Sequence, residues 1–290
     1  MTTNYKGIVL AGGSGTRLHP ITKGVAKQLL PVYDKPMIFY PLSVLMIAGI
    51  KDILIICNPS DIELYQKLLG DGNQIGIKIS YAIQSKPRGL ADAFIVGEKF
   101  IGSSKVALIL GDNLFYGSGF GNLIRSAAKF NQGASIFGIE VNNPSDFGVA
   151  EVDNHNNIIK LIEKPKKFFS NLAIPGLYFY DNNVTKIAKS LEPSARGEIE
   201  ITDLNQKYLE KKELKLNRMP RGITWMDTGT PINFYKASEF VKVTEESTGK
   251  KIACLEEVAL LNSFISAEDF KNLVQELPKS DYRNYLKKLI

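Results

Sequence analysis

Ile8-Val9-Leu10-Ala11-Gly12-Gly13-Ser14-Gly15-Thr16-Arg17-Leu18 passes from four apolar residues into a loop with three glycines in four positions. Ile8 to Ala11 reads as a buried strand, and a strand handing over to a glycine-rich loop is how a layered α/β sheet opens. The glycines let backbone N–H groups approach and wrap phosphate oxygens, and Arg17 adds a charged, bidentate fork. The alternative is a tight strand-to-helix turn with no ligand. No Gly-Lys-Ser/Thr follows, which excludes the P-loop pattern. Leu18 stands where the dinucleotide fingerprint needs its third glycine, which excludes that pattern too.

The same alternation continues downstream. A helix is predicted over residues 36–48, with Pro36 in its first turn, Gly49 as its stop and Pro41 an awkward guest inside it. Ile53 to Cys57 reads as a strand, Asp61 to Leu69 as a helix ended by Gly70, Lys78 to Gln84 as a strand and Leu90 to Phe100 as a helix. Val106 to Leu110 is apolar throughout, as a parallel strand covered on both faces requires. After Ala134 the pattern becomes antiparallel or mixed. Strands are expected over residues 134–141, 148–152 and 158–162, the last two joined by a polar turn at Asn154 to Asn157, then over 176–180, with a helix over 201–211. Beyond Pro231 only helical patterns remain.

The composition agrees with a globular chain: 290 residues, 44% hydrophobic, 23% charged, formal net charge +6. That mild basic excess is scattered, which suits an anionic small ligand and argues against nucleic acid. Cys57 and Cys254 are too few and too far apart for a disulfide framework or a zinc cluster. No basic head and apolar stretch opens the chain, and the most apolar segment, Met37 to Ile50, is too short to span a bilayer. A soluble, cytoplasmic protein without membrane contact is expected. No internal repeat or low-complexity linker is visible.

Among single residues, Lys27 lies ten positions beyond Arg17 and is able to reach the same phosphates. Asp112 follows a buried strand through Gly111, and Asp227 sits in a second short motif far along the chain. Two such carboxylates can share one Mg²⁺ that keeps waters and phosphate oxygens as its other ligands, although a strand-end Asp is equally a cap or turn residue. The two histidines, His19 and His155, read as structural or surface residues, and no Ser–His–Asp or Cys–His set is present.

Taken together, Gly12 to Leu18, Pro20, Thr22 and Lys27-Gln28-Leu29-Leu30-Pro31-Val32 to Tyr40 resemble the sugar-nucleotide pyrophosphorylases, a nucleotidyltransferase family. The resemblance recurs at Gln84-Ser85-Lys86-Pro87-Arg88-Gly89-Leu90, Gly111-Asp112-Asn113, Phe147-Gly148-Val149 and Glu163-Lys164-Pro165. It recurs again at Arg196 to Asp203 and at Trp225-Met226-Asp227-Thr228-Gly229-Thr230. It implies a Rossmann-like three-layer α/β nucleotidyltransferase fold with a mixed, mostly parallel central sheet. A catalytic domain over residues 1–240 would have a nucleotide-binding part near 1–115 and a sugar-binding part near 134–230, followed by a helical C-terminal extension over 241–290. The implied reaction joins dTTP, or UTP, to glucose 1-phosphate with release of pyrophosphate, and needs Mg²⁺. The same scaffold also occurs as a non-catalytic sensing subunit.

Carried over position by position, the resemblance assigns catalysis to Arg17, Lys27, Asp112 and Lys164, and the metal to Asp112 and Asp227. The nucleotide falls to Leu10, Gly12, Gly13, Ser14, Gly15, Thr16, Arg17, Lys27, Gln28, Gln84, Pro87, Gly89 and Asp112. The sugar phosphate falls to Leu90, Asn113, Phe147, Gly148, Glu163, Lys164, Arg196, Glu198 and Trp225. Phe147 departs from the family, which commonly carries Tyr there. The tail resembles that of longer members, whose C-terminal helices build a homotetramer and a second nucleotide site. Leu260-Leu261 and Ser263 stand where those members usually have Tyr-Arg and Gly, so one anion-binding arginine is lost, leaving Tyr116 and Arg221 as candidates there.

Overall fold

The computed structural model describes residues 4–13 and 15–290. Ser14, one of the expected phosphate-loop residues, lies outside them. Strand β1 (Tyr5–Leu10) is followed by two short antiparallel strands, β2 (Pro31–Val32) and β3 (Lys35–Pro36), and then by helix α1 (Phe39–Ile47). The helix starts three residues later than the sequence pattern suggested, because Pro36 pairs with Pro31 in that small hairpin. Pro41 thereby falls in the first turn of α1, where no intrahelical N–H partner is missed, and the expected conflict disappears.

Next come β4 (Asp52–Cys57), α2 (Ile62–Leu69) and β5 (Lys78–Ile83). The helix expected over 90–100 is two short ones, α3 (Asp92–Val96) and α4 (Glu98–Ile101), divided at Gly97. Then follow β6 (Lys105–Leu110), β7 (Asn113–Gly117), α5 (Phe120–Ala127) and β8 (Ala134–Glu140). The second half is built from β9 (Gly148–Val152), β10 (Ile158–Glu163), β11 (Leu172–Ile174), β12 (Leu177–Tyr180), α6 (Val184–Lys189), α7 (Ile201–Glu210), β13 (Leu214–Arg218) and β14 (Ile223–Asp227). Helices α8 (Pro231–Thr248), α9 (Leu255–Leu261), α10 (Ala267–Glu276) and α11 (Asp281–Lys287) complete the described chain, as the helical pattern beyond Pro231 foretold.

Ten strands form one mixed sheet in the order β10-β9-β11-β8-β12-β6-β1-β4-β5, with β13 pairing to β8. The β6–β1–β4–β5 half is wholly parallel, and β12 joins it antiparallel. Side chains alternate across it. Val9, Ile53 and Ile55 join a core under α1, α2, α5 and α9, whereas Ile8, Leu54 and Ile56 join a second core under α3, α6 and α7. This makes three layers. Because β1 connects onward to β4 on one side and pairs with β6 on the other, the loops leaving β1 and β6 diverge, and a crevice opens at their carboxyl ends.

The C-terminal helices are tied to the parallel half. Leu255, Ala259 and Phe264 belong to the same core as α1. Buried Lys35 of the β2–β3 hairpin donates to Glu245 of α8 at 2.8 Å, and Asp34 and Lys251 close this into a four-residue charge network. At the end of α9, Ser263 takes φ +55 while its N–H reaches Leu260 O at 3.0 Å and Phe264 N–H reaches Ala259 O at 2.8 Å. This bonding pattern is a Schellman C-terminus, whose left-handed position favours glycine. Ser263→Gly is therefore expected to raise stability by about 1 kcal/mol, read as a higher urea midpoint at unchanged slope. An unchanged or lower midpoint would show that the serine conformation carries no strain.

Candidate active site

The crevice at the ends of β1 and β6 is a cavity of about 250 Å³. At one end of it the chain sets four charges together. Lys27, buried on a short turn at residues 27–29, donates to Asp112 Oδ2 at 2.6 Å, and Asn113 Nδ2 donates to the other carboxylate oxygen at 2.9 Å. Burial alone pushes the Asp112 carboxyl up, but Lys27, Asn113 and Arg17 outweigh it and hold it below the usual range. Asp227 arrives from β14, which pairs antiparallel with β7 so that Asp227 stands opposite Asn113. One oxygen of Asp227 is buried without a hydrogen-bond partner. Arg17 reaches the same place. Its guanidinium lies so close to Gly229 that a Cβ there would stand 2.7 Å from it and would push the guanidinium aside.

Two adjacent carboxylates, one with an orphaned oxygen, fit a divalent cation that takes its remaining ligands from water and phosphate. Among the described residues no cluster of three or more His, Cys, Asp or Glu offers a cage that would bind a metal by itself.

Asn113, 3% exposed, ties this end to Trp225. Its Oδ1 accepts from Trp225 Nε1 at 2.7 Å and from Gly176 N–H at 3.0 Å. Its amide links Asp112, Gly176 and Trp225 at the cavity wall. The Trp225 indole stands edge-on to Phe147 with ring centres 4.7 Å apart, walling the cavity. Opposite them, Glu163 ends β10 in register with Gly148, and its carboxylate accepts from Thr202 of α7. Lys164 follows at φ +43, with its N–H on Phe147 O at 3.0 Å and its ammonium 3.9 Å from Glu163. Lys164 is one of the non-glycine residues held at positive φ, and it stands at the cavity rim. Arg196 is held by Glu200 at 2.8 Å and stands 3.6 Å from both Glu163 and Glu198.

Of the expected residues, Leu10, Gly12, Arg17, Gln28, Leu90, Asp112, Asn113 and Asp227 line the cavity, together with Phe147, Gly148, Glu163, Lys164, Arg196, Glu198 and Trp225. Lys27, Gly13 and Gly15 line an adjoining depression instead. Thr16 begins a short turn beyond the loop. The Gly13 N–H is bonded to Asn58 Oδ1 at 3.2 Å, and Asn58 Nδ2 returns to Gly13 O at 3.0 Å, so this glycine is clamped by the end of β4. Gln84 sits buried beside Gly12, Pro87 is exposed, and Gly89, at φ +102, passes within a Cβ radius of the Ile199 backbone. Sequence reasoning missed Asn58, Asp92, Glu200 and Thr202. An Arg-to-Glu spacing of four at Arg196 and Glu200 was the available signal for one of them.

The electrostatics yield a testable sign. Burial, reinforced by the neighbouring Asp112 charge, pushes the Asp227 carboxyl up to about 6. An unperturbed aspartate ionises near pH 4, so between about pH 4 and 6 the folded protein binds a proton that the unfolded chain has released, and stability from this group falls as pH rises through that window. With metal chelated, Asp227→Asn is expected to match the parent protein at pH 4 and to exceed it at pH 7 by about 2 kcal/mol. Denaturant midpoints at the two pH values would measure this, and an equal difference at both would refute the raised carboxyl.

Comparison with known proteins agrees with this geometry. The nucleotidyl transferase family profile matches residues 6–244. The glucose-1-phosphate thymidylyltransferase of Neisseria gonorrhoeae is 52% identical over 285 residues, covering 98% of this chain and 99% of that protein. A Bacillus anthracis crystal structure in complex with a sucrose superposes with a TM-score of 0.76 at 39% identity, covering 81% of this chain and 94% of that one. A UDP-glucose pyrophosphorylase solved with UDP-glucose follows at 0.73 and 27%, covering 84% and 100%. By sequence and fold the chain belongs to the nucleotidyl transferase family.

Proposed function

We propose that this enzyme condenses dTTP with α-D-glucose 1-phosphate to give dTDP-glucose and pyrophosphate. A phosphate oxygen of the sugar attacks the α-phosphorus in line, the bond to the β-phosphate breaks, and pyrophosphate leaves with the electron pair. No protein nucleophile is needed, so catalysis consists of positioning and charge neutralisation. The observation that carries this reading is the placement of Asp112, Asp227 and Arg17, with Lys27 bound to Asp112 from an adjoining depression, in a cavity that also presents Glu163, Lys164 and Arg196.

Arg17 and Lys27 neutralise the triphosphate. Lys164 and Arg196 hold the sugar's phosphate at the junction, Glu163 accepts sugar hydroxyls, and Trp225 walls the pyranose. Asp112 and Asp227 hold Mg²⁺, which when bound offsets the charge gathering on the phosphates. Gln84, with Pro87 and Gly89, reads the base. Thymidylyl rather than uridylyl transfer is supported by the names of relatives at 52% identity, against 27% for the UDP-glucose pyrophosphorylase.

We further assign residues 1–240 to the catalytic domain, nucleotide part first, and 241–290 to a helical extension. We infer a cytoplasmic homotetramer. Exposed apolar side chains on α8 (Ile232, Tyr235 and Val243) and Leu261 on α9 support assembly. No helix among the described residues is long and apolar enough to cross a membrane.

Pyrophosphate release with Mg²⁺ and glucose 1-phosphate, compared among dTTP, UTP, ATP, CTP and GTP, tests the proposal. Release is expected to be fastest with dTTP and next with UTP. A folded protein that binds dTTP yet releases nothing with any nucleotide would instead be a sensing subunit.

A further inference from the structure

We propose that Asp92 orients the Gln84 amide and so decides which nucleobases the site accepts. The inference rests on the reading of Gln84 as the base reader and adds the residue that makes it selective. Gln84 follows β5 and is 6% exposed, and its Oε1 faces Gly12, where a Cβ would stand 3.1 Å away. Its Nε2 donates to Asp92 Oδ2 at 2.8 Å. Asp92, the first residue of α3, is 1% exposed, and its other oxygen accepts from Arg88 Nη2 at 2.7 Å.

A glutamine amide is nearly symmetric in shape, so its partners decide which end carries the donor. The carboxylate of Asp92, in its ion pair with Arg88, only accepts. Turning the amide over would set its carbonyl oxygen against that carboxylate with no proton between them, deep in the protein, where an unmade bond is costly. The amide is thereby locked with its oxygen toward the glycine loop, and no hydrogen bond among the described residues reaches that oxygen. What the site offers a base is an acceptor. Neutral thymine and uracil present a ring N–H between two carbonyls and so match it, as does the ring N–H of guanine. Cytosine and adenine present a lone pair at the corresponding ring nitrogen and meet oxygen with nitrogen, two acceptors facing one another.

Asp92 touches no substrate in this arrangement and is a positioning residue. Its loss should therefore act on selectivity, which a merely structural defect would leave unchanged while lowering activity with every nucleotide. The experiment compares kcat/KM for dTTP and for dCTP, with glucose 1-phosphate saturating, in the parent enzyme, Gln84→Ala, Asp92→Asn and Arg88→Ala. Asparagine has the shape of aspartate but satisfies either face of the amide. Asp92→Asn is expected to lower the dTTP:dCTP ratio by about tenfold or more through the nucleotide KM, leaving the glucose 1-phosphate KM unmoved. Arg88, 56% exposed, can be removed without opening the core. Arg88→Ala is expected to lower the ratio less, and it carries the test if Asp92→Asn shows no cooperative melting. Should Gln84→Ala lose the ratio while the folded Asp92 and Arg88 variants keep it, the role of Asp92 is overturned and the base reader stands. Should the parent enzyme not distinguish dTTP from dCTP, or should Gln84→Ala preserve the distinction, the base reader falls and Asp92 with it.

Discussion

The contact between Lys27 and Asp112 is the interaction on which the site depends. It joins a residue 17 positions beyond the end of β1 to a residue two positions beyond the end of β6, at 2.6 Å. Those strands are neighbours in the sheet, and their onward connections run to opposite sides. The crevice between them is a consequence of topology, and what the sequence adds is charge at its mouth. An ammonium and a carboxylate are costly to bury singly and are kept here as a pair. Asp227 and Arg17 complete a set in which two anions and two cations face one another. Such a cluster balances its own charges in the free protein, and in the proposed reaction it would meet a metal–triphosphate without rearranging.

From this cluster the structure extends outward through hydrogen bonds more than through apolar packing. Asn113 connects the carboxylates to Trp225, and Thr228 donates its hydroxyl and its N–H to the Asp112 carbonyl. The far end of the cavity stands on a separate strand pair, β9 and β10, whose Glu163 is braced from α7. The two halves of the cavity thus come from different parts of one sheet, and the β7–β14 ribbon spans them. In the proposed reaction these paired strands would set the distance between the reacting phosphates, as positioning catalysis requires.

Much of this was legible in the sequence, for reasons that differ by element. Val106 to Leu110 could be read because a strand covered on both faces admits little but apolar residues. The glycine-dense loop after Leu10 could be read because few other roles demand glycine so closely. The charged residues owed their assignment to the spacing of whole motifs along the chain, since a lone Lys27 or Asp227 looks like any surface or turn residue. What stayed hidden were long-range pairings. The β7–β14 ribbon depends on contacts across more than a hundred residues, and the clamp of Asn58 on Gly13 spans 45. Pro36 was read as a helix start because periodicity cannot see a two-residue hairpin. Asp92 was hidden because a polar residue opening a short helix looks like an ordinary helix-start acid until its partner is seen.

If Asp112 and Asp227 hold the cation together, nucleotide binding depends on it. Calorimetric titration of dTTP into the protein, with and without Mg²⁺, measures that dependence when repeated on Asp112→Asn and Asp227→Asn. Mg²⁺ is expected to tighten binding by about tenfold or more in the parent protein, and that gain to vanish in both variants. A gain of the same size in the folded variants would contradict it, and would place the cation elsewhere.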